Sequence, residues 1–145
     1  MWQRTAILIL GMMAALPAAA LDYQSVIEAA VLYDTPSRQG TPLYAIARGT
    51  PVETVVALDA WVKVRDSTGD LAWIEKRLLS EKRMVIVSAD RATVRAQPYD
   101  AAPIVFEAER DVLLELAGPG PIGWAKVRHR DGRQGYIKAL QVWGN

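Results

Sequence analysis

The chain has 145 residues, with 17 Lys and Arg, 16 Asp and Glu, one His and no Cys, a length that accommodates one ordinary domain or two very small ones. Without cysteine the chain has no disulfides, thiolate metal sites or cysteine nucleophile, and one histidine cannot form a multi-histidine metal site. The formal net charge of +1 argues against nucleic acid as the main partner.

The first 20 residues have the organisation of a secretory signal peptide. Residues 1–4 carry one positive charge, residues 6–16 are an apolar run, and residues 18–20 are the small residues of a cleavage site. The run is shorter than the roughly 20 residues that span a membrane. We predict cleavage after Ala20, a periplasmic or secreted protein, and no stable membrane insertion after cleavage. An uncleaved membrane anchor is the alternative.

The rest of the chain contains one pattern twice. Residues 61–74 and 124–137 align at an offset of 63 and are identical at six of fourteen positions, where unrelated sequences share about one. Upstream, residues 43–55 align with 104–116 at an offset of 61, which pairs Gly49 with Arg110 and leaves two additional residues before Trp124. We predict a signal peptide at 1–20 and two closely packed domains, at 21–80 and 84–145.

Each copy is predicted to consist of five short strands. Alternation in residues 61–65 and 124–128 directs the small apolar side chains inward and each Trp, Lys and Arg outward. Glycine-containing turns follow, and Ile74 and Ile137 are expected to point inward. Residues 85–87 are predicted to form a strand that joins the halves. The predicted strands are 30–33, 43–47, 52–58, 61–65 and 71–74, with counterparts at 93–96, 104–108, 112–117, 124–128 and 134–137.

The two copies share the spacing of one set of residues. In copy two these residues are Val94, Arg95, Pro98, Gly123, Trp124, Lys126, Val127, Arg128, Asp131, Gly132, Gly135, Tyr136 and Ile137, and copy one matches at 61–65, Gly69 and 72–74. Their spacing resembles that of a known family, the bacterial SH3 domain, SH3b. The resemblance implies an all-β chain of two tandem small SH3-like five-stranded barrels. It also implies recognition of cell-wall peptides or glycan, whereas eukaryotic SH3 domains bind proline-rich helices on an aromatic groove.

The candidate ligand-binding residues are Trp61 and Trp124, with Tyr33 expected beside Trp61 and with Lys126 and Arg128 on the basic hairpin of copy two. An outward indole is a flat stacking platform with one N–H donor. The alternative is that each Trp covers the barrel rim or the contact between copies. The basic hairpin could attract anions, but we favour a solvated edge that discourages strand pairing.

No catalytic constellation, metal-ligand spacing or cofactor motif is present in the sequence, and His129 is predicted to be an ordinary exposed histidine. We therefore expect no catalytic residues, no metal and no cofactor. The leading hypothesis is an exported, non-enzymatic protein that binds peptidoglycan peptide or glycan. The alternative is an adaptor that binds a peptide segment of another cell-envelope protein.

Overall fold

The computed structural model describes residues 22–145, and the predicted signal peptide lies outside that range. The described residues form two seven-stranded sheets, both antiparallel throughout. Within residues 22–145, no helix has the length and apolarity needed to cross a membrane. The predicted all-β class is confirmed.

Barrel 1 comprises residues 23–80 and barrel 2 comprises residues 84–143. The strands of barrel 1 are β1 Tyr23–Val26, β2 Ala30–Tyr33, β3 Pro42–Ile46, β4 Pro51–Ala57, β5 Trp61–Arg65, β6 Leu71–Glu75 and β7 Leu79–Ser80. Those of barrel 2 are β8 Met84–Val87, β9 Arg91–Arg95, β10 Ile104–Glu109, β11 Leu113–Pro119, β12 Trp124–Arg128, β13 Gln134–Lys138 and β14 Val142–Trp143. Short 3-10 turns at Lys76–Leu78 and Ala139–Gln141 precede the last strand of each barrel.

The two sheets have the same topology. Their strand orders are β3-β2-β6-β5-β4-β1-β7 and β10-β9-β13-β12-β11-β8-β14, so each strand of barrel 1 has its counterpart seven strands later. The repeat in the sequence is therefore a duplication of one fold.

Each barrel contains two strands more than the five predicted from the sequence. Strand β1 pairs with β4 and β7, and its counterpart β8 pairs with β11 and β14. Residues 85–87 form a strand, as predicted, but the expectation that this strand joins the two halves was wrong, because β8 pairs only within its own sheet. Strands β1 and β8 each lie between two neighbours in the sheet order, and the short strands β7 and β14 form one edge of each sheet.

A separate hydrophobic core fills each barrel. The inward positions predicted from alternation are buried, and Val64, Ile74, Val127 and Ile137 each have no exposed surface. Each strand except the short β7 contributes at least one buried apolar side chain to the cluster of its own barrel. The strands therefore enclose a single core per repeat, which fixes the outward direction of Trp61 and its neighbours.

Strand pairing corrects the alignment of the two copies upstream of the tryptophans. Leu32 pairs with Tyr44 in barrel 1, and Val94 pairs with Phe106 in barrel 2, so these strands correspond at an offset of 62. The offset persists through β4 and β11, and the second copy therefore has one additional residue before Trp124. The predicted insertion of two residues was wrong.

This register assigns a different residue to the turn before β4 and β11. The counterpart of Gly49 is Asp111, and both residues have a positive φ, 83° and 71°. Their amides donate equivalent hydrogen bonds, from Gly49 to Val26 and from Asp111 to Val87. Pairing Gly49 with Arg110 was therefore wrong by one residue.

The two barrels contact each other through the connector and the chain end. The rings of Tyr23 and Trp143 meet edge to face, with centroids 5.2 Å apart. Ser25 Oγ donates a hydrogen bond of 2.7 Å to the Lys82 carbonyl. Arg83 stacks over the Tyr23 ring at 5.5 Å and donates to the Gly144 carbonyl at 2.8 Å. These contacts hold the connector against both barrels.

Candidate functional site

Trp61 begins β5 on the outer face of barrel 1, where it is half-buried. The Tyr33 ring, from the end of β2, lies edge to face against the indole, with centroids 5.8 Å apart and an interplanar angle of 83°. This arrangement is favourable for aromatic pairs. The structure therefore brings together the two residues that alternation placed on the outer surface of the first copy.

The indole forms one wall of a shallow groove of about 710 Å³, here called the Trp61 groove. Three segments line it, residues 36–38, 59–61 and 75–77. Pro36 and Ser37 belong to the loop between β2 and β3, and the last segment runs from β6 into the 3-10 turn. The groove thus joins a flat aromatic surface to several charged side chains.

Glu75 organises the charges at the base of the Trp61 groove. Arg38 donates from Nε and Nη2 to its two carboxylate oxygens, at 2.6 and 3.0 Å, and Arg77 Nε donates at 2.6 Å. The hydrogen bonds from Arg38, followed by those from Arg77, lower the pKa of Glu75 below its ordinary value. The carboxylate therefore fixes the loop that carries Pro36 against the strand beside Trp61.

Barrel 2 has the same connection with the charges exchanged. Lys138 occupies the position of Glu75 and Asp100 that of Arg38, and Lys138 Nζ lies 3.0 Å from Asp100 Oδ1. An ion pair in this position therefore joins the same loop to the same strand in both repeats. Sequence comparison missed it because the inverted signs hide the correspondence.

The surroundings of Trp124 are more apolar than those of Trp61. Tyr99 replaces Ser37, and Leu140 replaces Arg77. The exposed fractions of Tyr99, Ile122 and Leu140 are 54%, 103% and 96%. Arg95 replaces Tyr33 and donates to the Ala102 carbonyl at 2.8 Å. The two barrels therefore present chemically different surfaces at equivalent positions.

The two basic candidates of barrel 2 do not form one cluster with Trp124. Lys126 lies in the middle of β12, opposite Tyr136. Arg128 ends the strand, roughly 13 Å from Trp124 at the spacing of extended chain, and pairs with Glu115 at 3.6 Å. All three share the outer face, but Arg128 belongs to the region between the barrels.

Two further aromatic residues share these outer faces. Trp73 pairs directly with Tyr33 across β2 and β6, and Tyr136 pairs with Arg95 at the equivalent place. Each of them precedes an isoleucine that lies in the core of its barrel, Ile74 or Ile137. Each is half-buried, and Trp73 extends the aromatic surface beside Tyr33.

The predicted exposed position of His129 was wrong. Its side chain is 23% exposed, with Nδ1 lying 3.1 Å from Asp131 Oδ2 and its ring packing against Phe106. Within residues 22–145, no group of three or more His, Cys, Asp or Glu is placed to hold a metal ion. The Trp61 groove presents an aromatic ring, an indole N–H donor and charged side chains held in ion pairs.

Comparison with solved structures finds proteins that are named NlpC or NlpC/P60 proteins. NlpC2 from Trichomonas vaginalis matches with a TM-score of 0.40 and 17% identity over 87% of this chain and 49% of its own. An NlpC/P60 family protein from Bacillus cereus ATCC 10987 matches with a TM-score of 0.38 and 13% identity over 83% and 55%. The chain spans about half the length of these proteins. No curated protein sequence matches it significantly.

The family comparison identifies both repeats. The model described as "Bacterial SH3 domain" matches residues 27–81 and 88–144. Each match contains six of the seven strands of one barrel, and together they cover more than half of the chain. The chain therefore belongs to the bacterial SH3 domain family, with two tandem copies of the domain.

Proposed function

We propose that this protein is an exported, non-enzymatic binding protein that holds peptidoglycan peptide or glycan in the Trp61 groove. Membership of the bacterial SH3 family supports a binding role, because such domains are generally binding modules. The export step depends on the signal peptide predicted at residues 1–20. Tyr33 belongs to this proposed site as the residue that orients the indole.

The observation that carries this proposal is the placement of Trp61. The indole lies at the wall of an open groove and is braced by Tyr33, so its orientation is fixed before a ligand arrives. Fixing a contact surface in advance lowers the entropic cost of binding. An extended peptide or a sugar face can lie flat on such a ring while the fixed charges contact its polar groups.

Retention on purified sacculi tests the proposal. We expect the protein to be retained at low salt. The bound fraction of the Trp61→Ala variant should be at least fivefold lower than that of the parent protein. Trp61→Phe should recover part of that loss because it restores a flat ring. Far-UV circular dichroism controls for folding. Failure of the parent protein to bind, or full retention of a folded Trp61→Ala variant, would refute the proposal.

The second candidate function is an adaptor that binds a peptide segment of another cell-envelope protein. The exposed apolar side chains beside Trp124, namely Tyr99, Ile122 and Leu140, favour this function, because large exposed apolar side chains grouped together often mark interaction sites. Lys126 lies further along the same strand and would contact only a longer segment.

Affinity purification from cell envelopes distinguishes the adaptor from the wall-binding protein. An adaptor is expected to copurify with one stoichiometric protein and to lose it in a Leu140→Ser variant, while retention on sacculi is absent. The matched Arg77→Ser change, at the equivalent place in barrel 1, should leave that complex intact. Capture that is insensitive to Leu140→Ser would exclude this surface as the adaptor site.

A further inference from the structure

The space between the two barrels contains a second cavity, of about 790 Å³, here called the inter-barrel cavity. Side chains from segments 25–27 and 48–49 of barrel 1, 80–84 of the connector, and 112–115 and 128–130 of barrel 2 line it. Its volume falls within the roughly 300–1,000 Å³ typical of small-molecule sites. It exists only because the two repeats pack together.

The inter-barrel cavity has a local excess of positive charge. Residues 21–145 contain 16 basic and 16 acidic residues, whereas the cavity lining contains four cations and one carboxylate, Glu115. The four cations are Arg48, Lys82, Arg128 and Arg130. Of these, Arg48 and Arg130 form no ion pair with any residue between 22 and 145. Such a concave cationic surface raises the local concentration of anions.

The single carboxylate does not saturate the cations around it. Lys82 Nζ and Arg128 Nη1 each lie 3.6 Å from a Glu115 oxygen, beyond ordinary hydrogen-bond distance. The equivalent pair of barrel 1 is closer, with Arg65 Nη1 donating to Glu53 Oε2 at 3.1 Å. Arg128 Nη2 also donates a long hydrogen bond of 3.5 Å to Gln134 Oε1. The Lys82 ammonium and the remaining Arg128 donors are therefore available to a second acceptor.

Apolar side chains form the other wall of the inter-barrel cavity. Ile27 is 44% exposed, and Met84, Val112 and Leu113 are half-buried beside it. The hydrogen bond from Ser25 to the Lys82 carbonyl holds the connector in place. The cavity thus offers cations on one side and an apolar surface on the other.

We propose that the inter-barrel cavity is a separate binding site for the C-terminal carboxylate of a short peptide with small apolar side chains. Arg128 and Arg130 receive the carboxylate, and the apolar wall receives the last side chains. Glu115 repels a dianion more strongly than a monoanion, which favours a carboxylate over a phosphate. The site is distinct from the Trp61 groove and does not depend on binding there.

Calorimetric titration with N-acetyl-Ala-Ala, in its L and D forms, tests the proposal. We expect the free acid of at least one form to bind at least tenfold more tightly than its C-terminal amide, because only the acid carries the charge. Arg128→Gln and Arg130→Ala should each weaken acid binding at least fivefold. Arg65→Gln, the matched change in barrel 1, should leave it unchanged.

Three results would overturn the proposal. The first is equal affinity for the acid and the amide, or no binding of either. The second is binding of inorganic phosphate as tight as that of the dipeptide, which would indicate a simple anion site. The third is an equal loss of binding in Arg65→Gln and Arg128→Gln variants that both remain folded by circular dichroism. Because the probe is a soluble dipeptide, these results are independent of retention on sacculi.

Discussion

Gly135 in β13 is a position where one methyl group should destabilise barrel 2. A Cβ added there would lie 2.5 Å from the Arg95 carbonyl oxygen and 2.8 Å from Val94 Cγ1. The distance to the oxygen is about 0.9 Å shorter than 3.4 Å, the shortest ordinary van der Waals contact. Because the obstacle is backbone, β13 would have to move away from β9, and the pairing of Tyr136 with Arg95 would weaken.

The expected loss in the Gly135→Ala variant is about 2–4 kcal/mol. Overpacking a well-packed interior costs about 1–3 kcal/mol, and weakening one backbone hydrogen bond adds about 1 kcal/mol. A domain of this size has a free energy of unfolding of about 3–9 kcal/mol. The change should therefore remove a large part of the stability of barrel 2.

Urea denaturation followed by tryptophan fluorescence measures the loss, and hydrogen exchange locates it. We expect amides of β9 and β13 to exchange faster while those of barrel 1 keep their protection. The matched position in barrel 1 is Ala72, which is 2% exposed, and Ala72→Gly should cost about 1 kcal/mol there through lost burial and added chain entropy. Stability of Gly135→Ala within about 0.5 kcal/mol of the parent, or equal loss of protection in both barrels, would refute the reasoning.

Four further outcomes are expected. Tyr44→Phe should raise the free energy of unfolding by about 1 kcal/mol, because the buried hydroxyl has no hydrogen-bond partner among residues 22–145 and burial raises its pKa. A loss of stability in urea denaturation would instead mean that the hydroxyl donates a hydrogen bond to Asp66. Asp111→Gly should gain about 0.5–1 kcal/mol by relieving a positive φ, and an unchanged Tm would contradict this. The pKa of Glu75 is lowered in the folded protein from its ordinary value of 4.5. Its contribution to stability is therefore complete above pH 4.5 and is lost as the pH falls through the lower pKa of the folded state. Glu75→Gln should accordingly make the free energy of unfolding depend less on pH below 4.5, as measured by urea denaturation at several pH values. R38D and E75K should each lower the free energy of unfolding, because each breaks the ion pair that joins the loop to β6. The double variant restores opposite charges, so a double-mutant cycle should show favourable coupling. Additive losses in the double variant would argue against an ion pair that links loop and strand.

Local pattern was sufficient to predict much of each barrel. The alternation in β5 and β12 identified the buried valines and placed both tryptophans on the outer face. This was possible because successive side chains of a strand point to opposite faces whichever strands it pairs with. The repeated spacing of Trp, Lys, Val, Arg and Gly then predicted two copies of one fold. The bounds of β2, β5 and β12 were predicted to the residue.

The sequence did not predict the features that depend on which strands pair, namely the full set of strands and the offset between the two copies. Strand β1 is short and does not alternate cleanly, and only its partners in the sheet establish it. Residues 85–87 were predicted as a strand, but the pairing of β8 with β11 and β14 is a long-range feature that the local pattern did not contain. The offset between the copies was wrong by one residue because β4 and β11 are both rich in apolar residues, so a shifted alignment still places apolar residues opposite each other. Pairing of Leu32 with Tyr44 and of Val94 with Phe106 removes that ambiguity.

The sequence by itself determined the all-β class, the duplication, and which face of each central strand carries the aromatic and basic side chains. Only the tertiary structure decided that Arg38 meets Glu75, that Asp100 meets Lys138 with the charges exchanged, and that Arg128 faces the space between the barrels. The physical reason is that a local period reports the side of a strand on which a residue lies. Which residues it contacts across a loop or in the other barrel depends on how the chain folds over tens of residues, and a local pattern contains no information about that.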